Sequence, residues 1–203
     1  MMLNLFTVKL IFSEYLRLGR KYNFPPPPFR RCHNSKCNKL VQFRKHGFYE
    51  RYFVSSVFDG KIVIRRYICP ICGHTISIMP NFCLPRYLHA LQNIFEYTFE
   101  AYHRMGTLKA CLDALNIKTG LNISRQLLYH YRKRLMENLA FIQHGIRQLD
   151  TAVRFADNEV SEIEKAKKVL GIVRNWPGPL NLFSQQFLEK NTKTIFALTC
   201  NLL

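Results

Sequence analysis

The stretch that decides the fold is KIVIRRYICPICG, residues 61–73. In its first part Ile62 and Ile64 alternate with more polar neighbours, the period of two that is typical of a half-buried β-strand. Its second part is a Cys-x2-Cys pair followed by Gly73, which can adopt the positive φ that a turn directly after a metal ligand requires. The stretch therefore predicts a strand that runs into a metal-binding knuckle.

A second cysteine pair lies upstream, at Cys32 and Cys37, and 31 residues separate it from Cys69 and Cys72. Two closely spaced pairs suit tetrahedral Zn²⁺, because each pair spans one edge of the tetrahedron through a tight turn. Four thiolates leave no coordination position open for water, so we expect one Zn²⁺ with a structural role.

Three other interpretations of these cysteines remain open. All four could be separate buried thiols, as we expect Cys83, Cys111 and Cys200 to be. The Cys-x2-Cys pair could be redox-active, although no βαβ pattern surrounds it. His33 or His74 could replace one cysteine, since each adjoins a predicted ligand. The paired spacing favours the four-cysteine site over all three.

The residues around the cysteine pairs predict a small antiparallel sheet. Residues 48–58 are rich in aromatic and β-branched side chains, and Asp59–Gly60 is a strong hairpin-turn signal after them. Thr75–Met79 predicts a third strand. A domain of about fifty residues has too small an apolar core to fold alone. Residues 29–83 are therefore predicted to be a zinc ribbon whose folding depends on the metal.

The chain before the ribbon has a different composition. Residues 1–28 predict a short amphipathic segment and then a stiff spacer at Pro25–Pro28, because consecutive prolines favour polyproline II. The apolar N-terminus lacks the basic start and the cleavage site of a signal peptide. Lys9 and Glu14 interrupt it well before the ~20 residues of a membrane span. We therefore expect a cytoplasmic protein without a membrane partner.

Beyond Pro85 the spacing of residues is helical, and one buried stripe is predicted: Leu88, Leu91, Phe95, Thr98 and Tyr102. Three helices are predicted, over residues 85–103, 107–115 and 124–147. With Ser124 as the N-cap of the last helix, residues 84–150 predict a helix-turn-helix-like domain, although the eight residues before that cap exceed the usual turn. A plain three-helix packing unit is the alternative. Residues 151–203 predict a mainly helical tail. The predicted fold class is α+β: a small antiparallel β zinc ribbon, then an all-α helix-turn-helix-like unit and a helical tail.

The chain is strongly basic. It carries 30 Lys and Arg against 13 Asp and Glu, a formal charge of +17, and its sequence pI is about 9.8. Nearly all of the excess lies in residues 1–150. Such a charge favours a polyanionic partner, either nucleic acid or an anionic membrane surface. The aromatic residues interleaved with the basic ones favour nucleic acid over a merely solvated face.

The candidate DNA contacts form two groups of side chains. On the third predicted helix, the apolar stripe that begins at Leu128 faces inward and leaves a basic and polar outer face. Its members are Arg125, Gln126, Tyr129, Arg132 and Lys133. On the ribbon, the expected phosphate contacts are Arg44, Lys45, Arg65 and Arg66. The Arg and Gln residues of the first group suit base edges in the major groove, whereas Lys133 and the second group suit the phosphates of the DNA backbone.

Three motifs resemble those of a transposon-associated protein family. They are Gly47–Tyr52 (GFYERY), the strand and knuckle at Ile64–Gly73, and Leu84–Tyr87 (LPRY). Members of this family combine an N-terminal zinc ribbon with a helix-turn-helix, and the resemblance covers about residues 17–150. It implies binding to mobile-element DNA and carries over no catalytic residue. The four residues between Cys32 and Cys37 depart from the two that are typical of zinc ribbons.

A transposase centre needs three carboxylates on an RNase H-like core, and the 53 residues after Asp150 are too few for one. We therefore expect a non-enzymatic DNA-binding protein, an accessory or truncated transposase-like protein that binds element ends or its own promoter. Its expected partners are double-stranded DNA, a transposase or other mobile-element protein, and a second copy in a homodimer. Its expected location is the nucleoid in the cytoplasm. A host transcription regulator and a zinc-ribbon protein–protein adaptor are the alternatives.

Overall fold

The computed structural model describes residues 3–6, 12–155, 161–191 and 193–197. It contains both strands and helices, so the predicted α+β fold class is confirmed. The chain divides into two compact units. The first, the sheet unit, runs up to Val54 and resumes over Phe58–Leu88. The second, the helical unit, comprises Ser55–Val57 and the chain from His89 onward.

In the described part of the chain, the sheet unit holds a four-stranded sheet in the order β1-β4-β3-β2. The strands are β1 (Leu3–Phe6), β2 (Arg44–Ser55), β3 (Phe58–Ile68) and β4 (Thr75–Pro80). β3 and β4 are antiparallel, with Arg65 opposite Ile78. β1 pairs with β4 in parallel, with Leu3 opposite Ser77. The three predicted strands are present, and β1 adds a parallel strand from a segment predicted only to be amphipathic.

The turn of the β2–β3 hairpin lies at Ser56–Val57, so the turn predicted at Asp59–Gly60 is wrong. Asp59 and Gly60 belong to β3. The Asp59 carboxylate accepts a hydrogen bond from the Tyr52 hydroxyl across the hairpin. A Cβ at Gly60 would lie 3.0 Å from a neighbouring phenylalanine ring. Asp59 and Gly60 therefore make contacts within the hairpin and do not form its turn.

Residues 12–28 pack onto the sheet and are part of the first compact unit. The helix α1 (Phe12–Leu18) and a short 3-10 turn lead into the run of prolines. The Tyr15 hydroxyl donates to the Val63 carbonyl, and the Tyr67 hydroxyl donates to the Pro25 carbonyl at 2.7 Å. An aromatic cluster joins this segment to the sheet: Phe12, Tyr15, Tyr22, Phe24, Phe53 and Phe82. The predicted spacer at the prolines is thus bonded to β3 through Pro25.

The helical unit contains six helices within the described residues. They are α2 (Leu91–His103), α3 (Leu108–Thr119), α4 (Arg125–Glu137), α5 (Leu139–Leu149), α6 (Glu162–Arg174) and α7 (Leu180–Asn191). α2 packs against α3, α4 and α6, and α5 packs against α6 and α7. The predicted helical tail therefore forms α6 and α7; α6 buries Val169 and Leu170, and α7 buries Phe183 and Phe187.

α2 begins at Leu91, six residues after the predicted start at Pro85. The residues between them turn away from a helical path: Arg86 has a φ of 68°. The Leu88 carbonyl accepts a hydrogen bond from the Val54 N–H at 3.0 Å. Leu88, predicted to lie on the buried stripe, is 45% exposed. Its backbone is committed to β2, so it cannot take part in a helix.

The connection between α3 and α4 is shorter than predicted. α3 continues to Thr119 and ends at Gly120, whose φ of 68° is the left-handed conformation of a helix C-terminus. α4 begins after Ser124, and the Ser124 hydroxyl accepts the Leu127 N–H at 3.2 Å, so the predicted N-cap is confirmed. The connection is residues 120–124 instead of the eight residues predicted.

The long helix predicted over residues 124–147 is two helices, α4 and α5, which meet at Asn138. The Asn138 side-chain amide donates to the carbonyls of Arg134 at 2.7 Å and Ala197 at 2.8 Å. Its backbone, with φ −102° and ψ 4°, leaves the helical region. A side chain that bonds backbone carbonyls competes with helix geometry, so a break at this residue has a local cause.

Candidate metal centre and nucleic-acid interface

The first knuckle holds Cys32 and Cys37 in a small loop that an isolated antiparallel bridge closes just outside the pair. The Cys37 N–H bonds to the Asn34 carbonyl at 2.8 Å. Asn38 follows with a φ of 41°, a left-handed conformation that Asn adopts more readily than most residues. These contacts fold the four residues between the cysteines into a tight turn.

The second knuckle follows β3 directly. The Cys69 N–H donates to the His74 carbonyl at 2.9 Å, and the Gly73 N–H donates to the Cys69 carbonyl at 3.0 Å. Gly73 has a φ of 73°, the positive value expected from the sequence. Nothing lies within 4 Å of the position of a Cβ there. Backbone conformation, and not crowding, is therefore what favours glycine after Cys72.

The two knuckles bring all four predicted ligands together. The sulfur atoms of Cys32, Cys37, Cys69 and Cys72 lie within 4.8 Å of one another, and those of Cys32 and Cys72 are 3.6 Å apart. Zn–S bonds of about 2.3 Å in a tetrahedron would place sulfur atoms about 3.8 Å apart. Across the described residues, this is the one such group of His, Cys and acidic side chains. The cluster has the dimensions and donors to hold one metal ion.

The cysteine cluster lies on a very small apolar core. Cys32 and Cys69 are buried with Val41, and Phe43 packs at the edge. Cys72 is exposed. So little apolar surface contributes few kcal/mol toward holding two loops in place. A metal ion bound by the four sulfurs would therefore be the main tie between the knuckles.

The two buried thiols of the cluster differ in acidity. Burial raises the pKa of the Cys32 thiol to about 12. Burial also acts upward on Cys69, but the backbone N–H groups of Cys72 and Ile71 bond to its sulfur and bring its pKa down to about 7. Backbone N–H groups aimed at sulfur stabilise the thiolate, the form in which cysteine binds a metal.

The other candidate ligands lie outside the cluster. His33 and His74 are not part of it, and the His33 ring packs against Phe29 with ring centres 4.0 Å apart. Cys83 and Cys111 are free thiols buried elsewhere, as expected. Cys200 lies outside the described residues. Of the ligands considered from the sequence, the four paired cysteines are those that converge.

The predicted base-reading side chains share the outer face of α4. Arg125 and Tyr129 are exposed, and the Arg125 guanidinium lies 5.8 Å from the Tyr129 ring centre. The Arg132 guanidinium lies 6.0 Å from the same ring and 4.7 Å from the ring of Tyr102 on α2. Contacts between guanidinium groups and rings restrict long side chains that would otherwise be mobile. This face is therefore organised before any ligand binds.

The two remaining predicted residues of α4 have different surroundings. Gln126 is exposed in the first turn of the helix. The Lys133 ammonium lies 3.8 Å from the Glu137 carboxylate, which Arg134 also contacts at 2.7 Å. Glu137 is an acidic neighbour that was not considered from the sequence. It partly neutralises the end of the face farther from Ser124.

The basic residues predicted on the ribbon are of two kinds. Arg44 and Lys45 are exposed at the start of β2. Arg65 and Arg66 are half-buried and lie over aromatic rings of β2, at 4.3 and 5.8 Å from the ring centres. Their Nε atoms are buried. Arg44 and Lys45 are thus accessible to phosphate, whereas Arg65 and Arg66 are partly committed to packing on the sheet.

The roles of two residues in positioning α4 and its face were not predicted from the sequence. The Asn116 side chain donates to the Ile123 carbonyl at 3.1 Å and accepts the Ile123 N–H at 3.0 Å, which fixes the connection before α4. An Asn near a helix end is a known signal for such backbone bonds. Tyr102 was predicted only as a member of the apolar stripe of α2, and its contact with Arg132 has no local signal because Arg132 is on another helix.

No protein-family model, curated protein or solved structure matches this chain. Among the described residues, no helix is both long enough and apolar enough to cross a bilayer.

Proposed function

We propose that this chain is a non-enzymatic, double-stranded-DNA-binding protein of a mobile genetic element, acting on element ends or on its own promoter. The observation that supports the proposal best is the outer face of α4, where Arg125, Tyr129 and Arg132 lie close together. The N-terminus of this helix is capped by Ser124. The net charge of +17 attracts DNA. A helix that presents such side chains from its first turns can enter the major groove.

In this proposal α3, the connection 120–124 and α4 form a helix-turn-helix. Arg125 and Gln126 stand in the first turn of α4, the part of a recognition helix that meets base edges. An Arg can bond guanine, and a Gln can bond adenine, through paired hydrogen bonds. Lys133 lies two turns farther along, where a single charge suits a phosphate.

One Zn²⁺ held by Cys32, Cys37, Cys69 and Cys72 stabilises the sheet unit in this proposal. Thiolates are soft ligands that favour zinc over hard cations such as Mg²⁺. With four sulfur ligands no position remains for water, so the ion would supply a cross-link and no reaction. Structural zinc of this kind contributes on the order of 10–16 kcal/mol of apparent binding free energy. The sheet unit is then a zinc ribbon extended by α1 and β1.

The assignment to a mobile element rests on the resemblance carried by the motifs GFYERY, LPRY and the strand with its knuckle. The proposed partners are a transposase or another protein of the element, together with a second copy of this chain. A host transcription regulator in the nucleoid would use the same face of α4. The neighbouring genes distinguish the two, because inverted repeats or an adjacent transposase gene would support the mobile element.

A protein–protein adaptor is the second candidate, and two exposed apolar residues favour it. Leu40 is 70% exposed just after the first knuckle, and Ile71 is 54% exposed within the second. Apolar side chains that are left in solvent beside a rigid loop suit a protein partner. In that case the positive charge would not contribute to binding.

Selection of bound sequences from random duplex DNA at physiological salt tests DNA binding. We expect a defined sequence to be enriched. Its affinity should fall steeply from low to moderate salt, because lysine and arginine contacts to phosphate release counterions. Affinity that is independent of salt, with no enriched sequence, would overturn DNA binding and favour the adaptor.

A further inference from the structure

The sheet unit carries a cleft that the proposed function does not use. Its volume is about 480 Å³, within the range of roughly 300–1,000 Å³ that is usual for ligand sites. Most of its lining is aromatic or cationic, and Met79 and Leu88 are its apolar members. The aromatic and cationic residues are Tyr49, Arg51, Tyr52, Arg86 and Tyr87. A ligand for this cleft would therefore be planar or aromatic in part and negatively charged in part.

The floor of the cleft is held by Arg51. Its guanidinium donates to the Leu84 carbonyl at 2.8 Å and to the Tyr87 carbonyl, and it approaches the Met79 sulfur at 3.4 Å. Met79 and Tyr87 are buried. These contacts bind residues 84–87 to β2 and β4, so the cleft is formed without a ligand. They also occupy Arg51, which leaves the charge of Arg86 as the one available to a ligand.

Arg86 is both strained and accessible. Its φ of 68° lies in the left-handed region that residues with a side chain rarely adopt. Its side chain is exposed, and within the described residues no carboxylate forms an ion pair with it. Backbone strain of this kind is found more often at ligand-binding and active sites than elsewhere. Glycine would adopt this φ without strain, so the presence of arginine at this position indicates that its guanidinium has a role.

Tyr52 forms an aromatic wall at the mouth of the cleft. Its side chain is 50% exposed, and its hydroxyl bonds to Asp59, which holds the ring in place. Leu88, 45% exposed, continues the apolar rim. Tyr49 lies on the same cleft and is itself held by Arg66, at 5.8 Å from its ring centre. The cleft thus combines fixed rings with an unpaired cation.

We propose that this cleft binds one unpaired nucleotide of DNA, with its base stacked on Tyr52 and its phosphate bonded by Arg86. Aromatic side chains stack on the face of any base, and a guanidinium bonds phosphate through two parallel hydrogen bonds. Paired bases within a duplex keep their faces covered, so the cleft selects an overhang or a bulge. The inference rests on the proposed DNA binding and adds recognition of an unpaired end. An acidic peptide would satisfy Arg86 but would offer no planar partner to Tyr52.

Fluorescence anisotropy with three labelled probes tests the cleft. The probes are a blunt duplex of mixed sequence, the same duplex with a short single-stranded thymidine overhang, and a free thymidine oligonucleotide. We expect the overhang to tighten binding by about tenfold over the blunt duplex, the effect of one or two stacked bases. The free oligonucleotide should compete with the overhang, and an acidic peptide of equal charge should not.

Two variants separate the cleft from general electrostatics. Arg86→Gly removes the guanidinium at a backbone position that glycine adopts without strain, so the variant should fold at least as stably. Tyr52→Leu removes the exposed ring. Each should abolish the advantage of the overhang while changing blunt-duplex affinity by no more than about twofold. Lys190→Gln removes one exposed charge on α7 and should keep the advantage.

The outcomes distinguish this inference from the proposed function. If the overhang gives no advantage in the native protein, or if its advantage survives in either Arg86→Gly or Tyr52→Leu, the proposed cleft is overturned and duplex binding is left intact. Equal competition by the acidic peptide also overturns base stacking. Overhang binding without blunt-duplex binding would support the cleft and overturn the proposed duplex recognition. Binding to none of the probes overturns both.

Discussion

Arg132 shows how α4 holds a charged side chain ready for a ligand. Its guanidinium lies 4.7 Å from the ring centre of Tyr102, and its Nε is buried without a hydrogen-bond partner. A free arginine side chain gives up ~2 kcal/mol of rotamer entropy when it is fixed. Stacking on Tyr102 removes part of that freedom in advance. In the proposed complex, the terminal nitrogens of Arg132 would then meet DNA at a smaller entropic cost.

Replacing two residues of this face should separate base reading from charge attraction. Arg125→Ala combined with Tyr129→Ala should weaken binding to the selected sequence by about tenfold to a hundredfold, because a base contact contributes ~1–3 kcal/mol. Binding to random duplex should fall by only about threefold. Both side chains are exposed, so the fold should be unaffected. Anisotropy titrations with the two duplexes measure the difference.

Lys168→Ala is the matched control for charge, since Lys168 is exposed on α6. It should lower affinity for both duplexes slightly and equally. If the double variant likewise loses the same factor on both, then α4 does not read bases and the helix-turn-helix interpretation fails.

The helices α5 and α7 approach each other closely at Gly145, a residue of α5 that has no side chain. A Cβ at Gly145 would lie 2.5 Å from the Phe187 ring and 2.8 Å from the Asn191 amide. Gly171 on α6 has nothing within 4 Å of the same position. The two helical glycines therefore form a matched pair, one that packing requires and one that it does not.

Alanine substitution should act in opposite directions on this pair. Gly145→Ala should destabilise the helical unit by ~1–3 kcal/mol, because the new methyl group forces α5 and α7 apart. Gly171→Ala should stabilise it by ~0.5–1 kcal/mol through higher helix propensity. Urea unfolding can be followed through Trp176, the single tryptophan, whose ring centre is 5.1 Å from that of Phe183. The same shift for both variants would contradict the described packing.

Across the whole molecule, sequence patterns correctly predicted the features that depend on a few neighbouring residues. The cysteine knuckles, β4 and the cap at Ser124 belong to this class. The misplaced hairpin turn is a local error, but other errors arose where a distant residue takes part. The backbone around Leu88 bonds to β2 and delays α2, and the break at Asn138 involves Ala197, far along the chain. Nothing in a short window could reveal these partners, nor that β1 pairs with β4.

Removal of the metal should destabilise the sheet unit, beginning at the two knuckles, and leave the helical unit folded. We expect about one zinc per chain in the native protein. A strong chelator should remove it and lower the melting temperature of the β-sheet signal in circular dichroism, because the knuckles bury too little apolar surface to hold together alone. Trp176, which packs on Phe183 in the helical unit, should keep its native fluorescence.

Two cysteine variants complete this test. Cys72→Ser should lose the zinc, whereas Cys111→Ser should keep it, because Cys111 is a buried thiol of α3 outside the cluster. A zinc-free preparation whose sheet signal and melting temperature match those of the native protein would contradict a structural role for the metal.

The parallel pairing of β1 with β4 affects how the protein is made in the cell. Leu3 lies opposite Ser77, so β1 leaves the ribosome well before β4 and finds its partner only after the second knuckle has emerged. Closing so long a loop is slow. Until β1 docks, the edge of β4 stays open to strands of other nascent chains. Zinc supply during translation, by speeding assembly of the knuckles, should therefore reduce aggregation and raise the yield of folded protein.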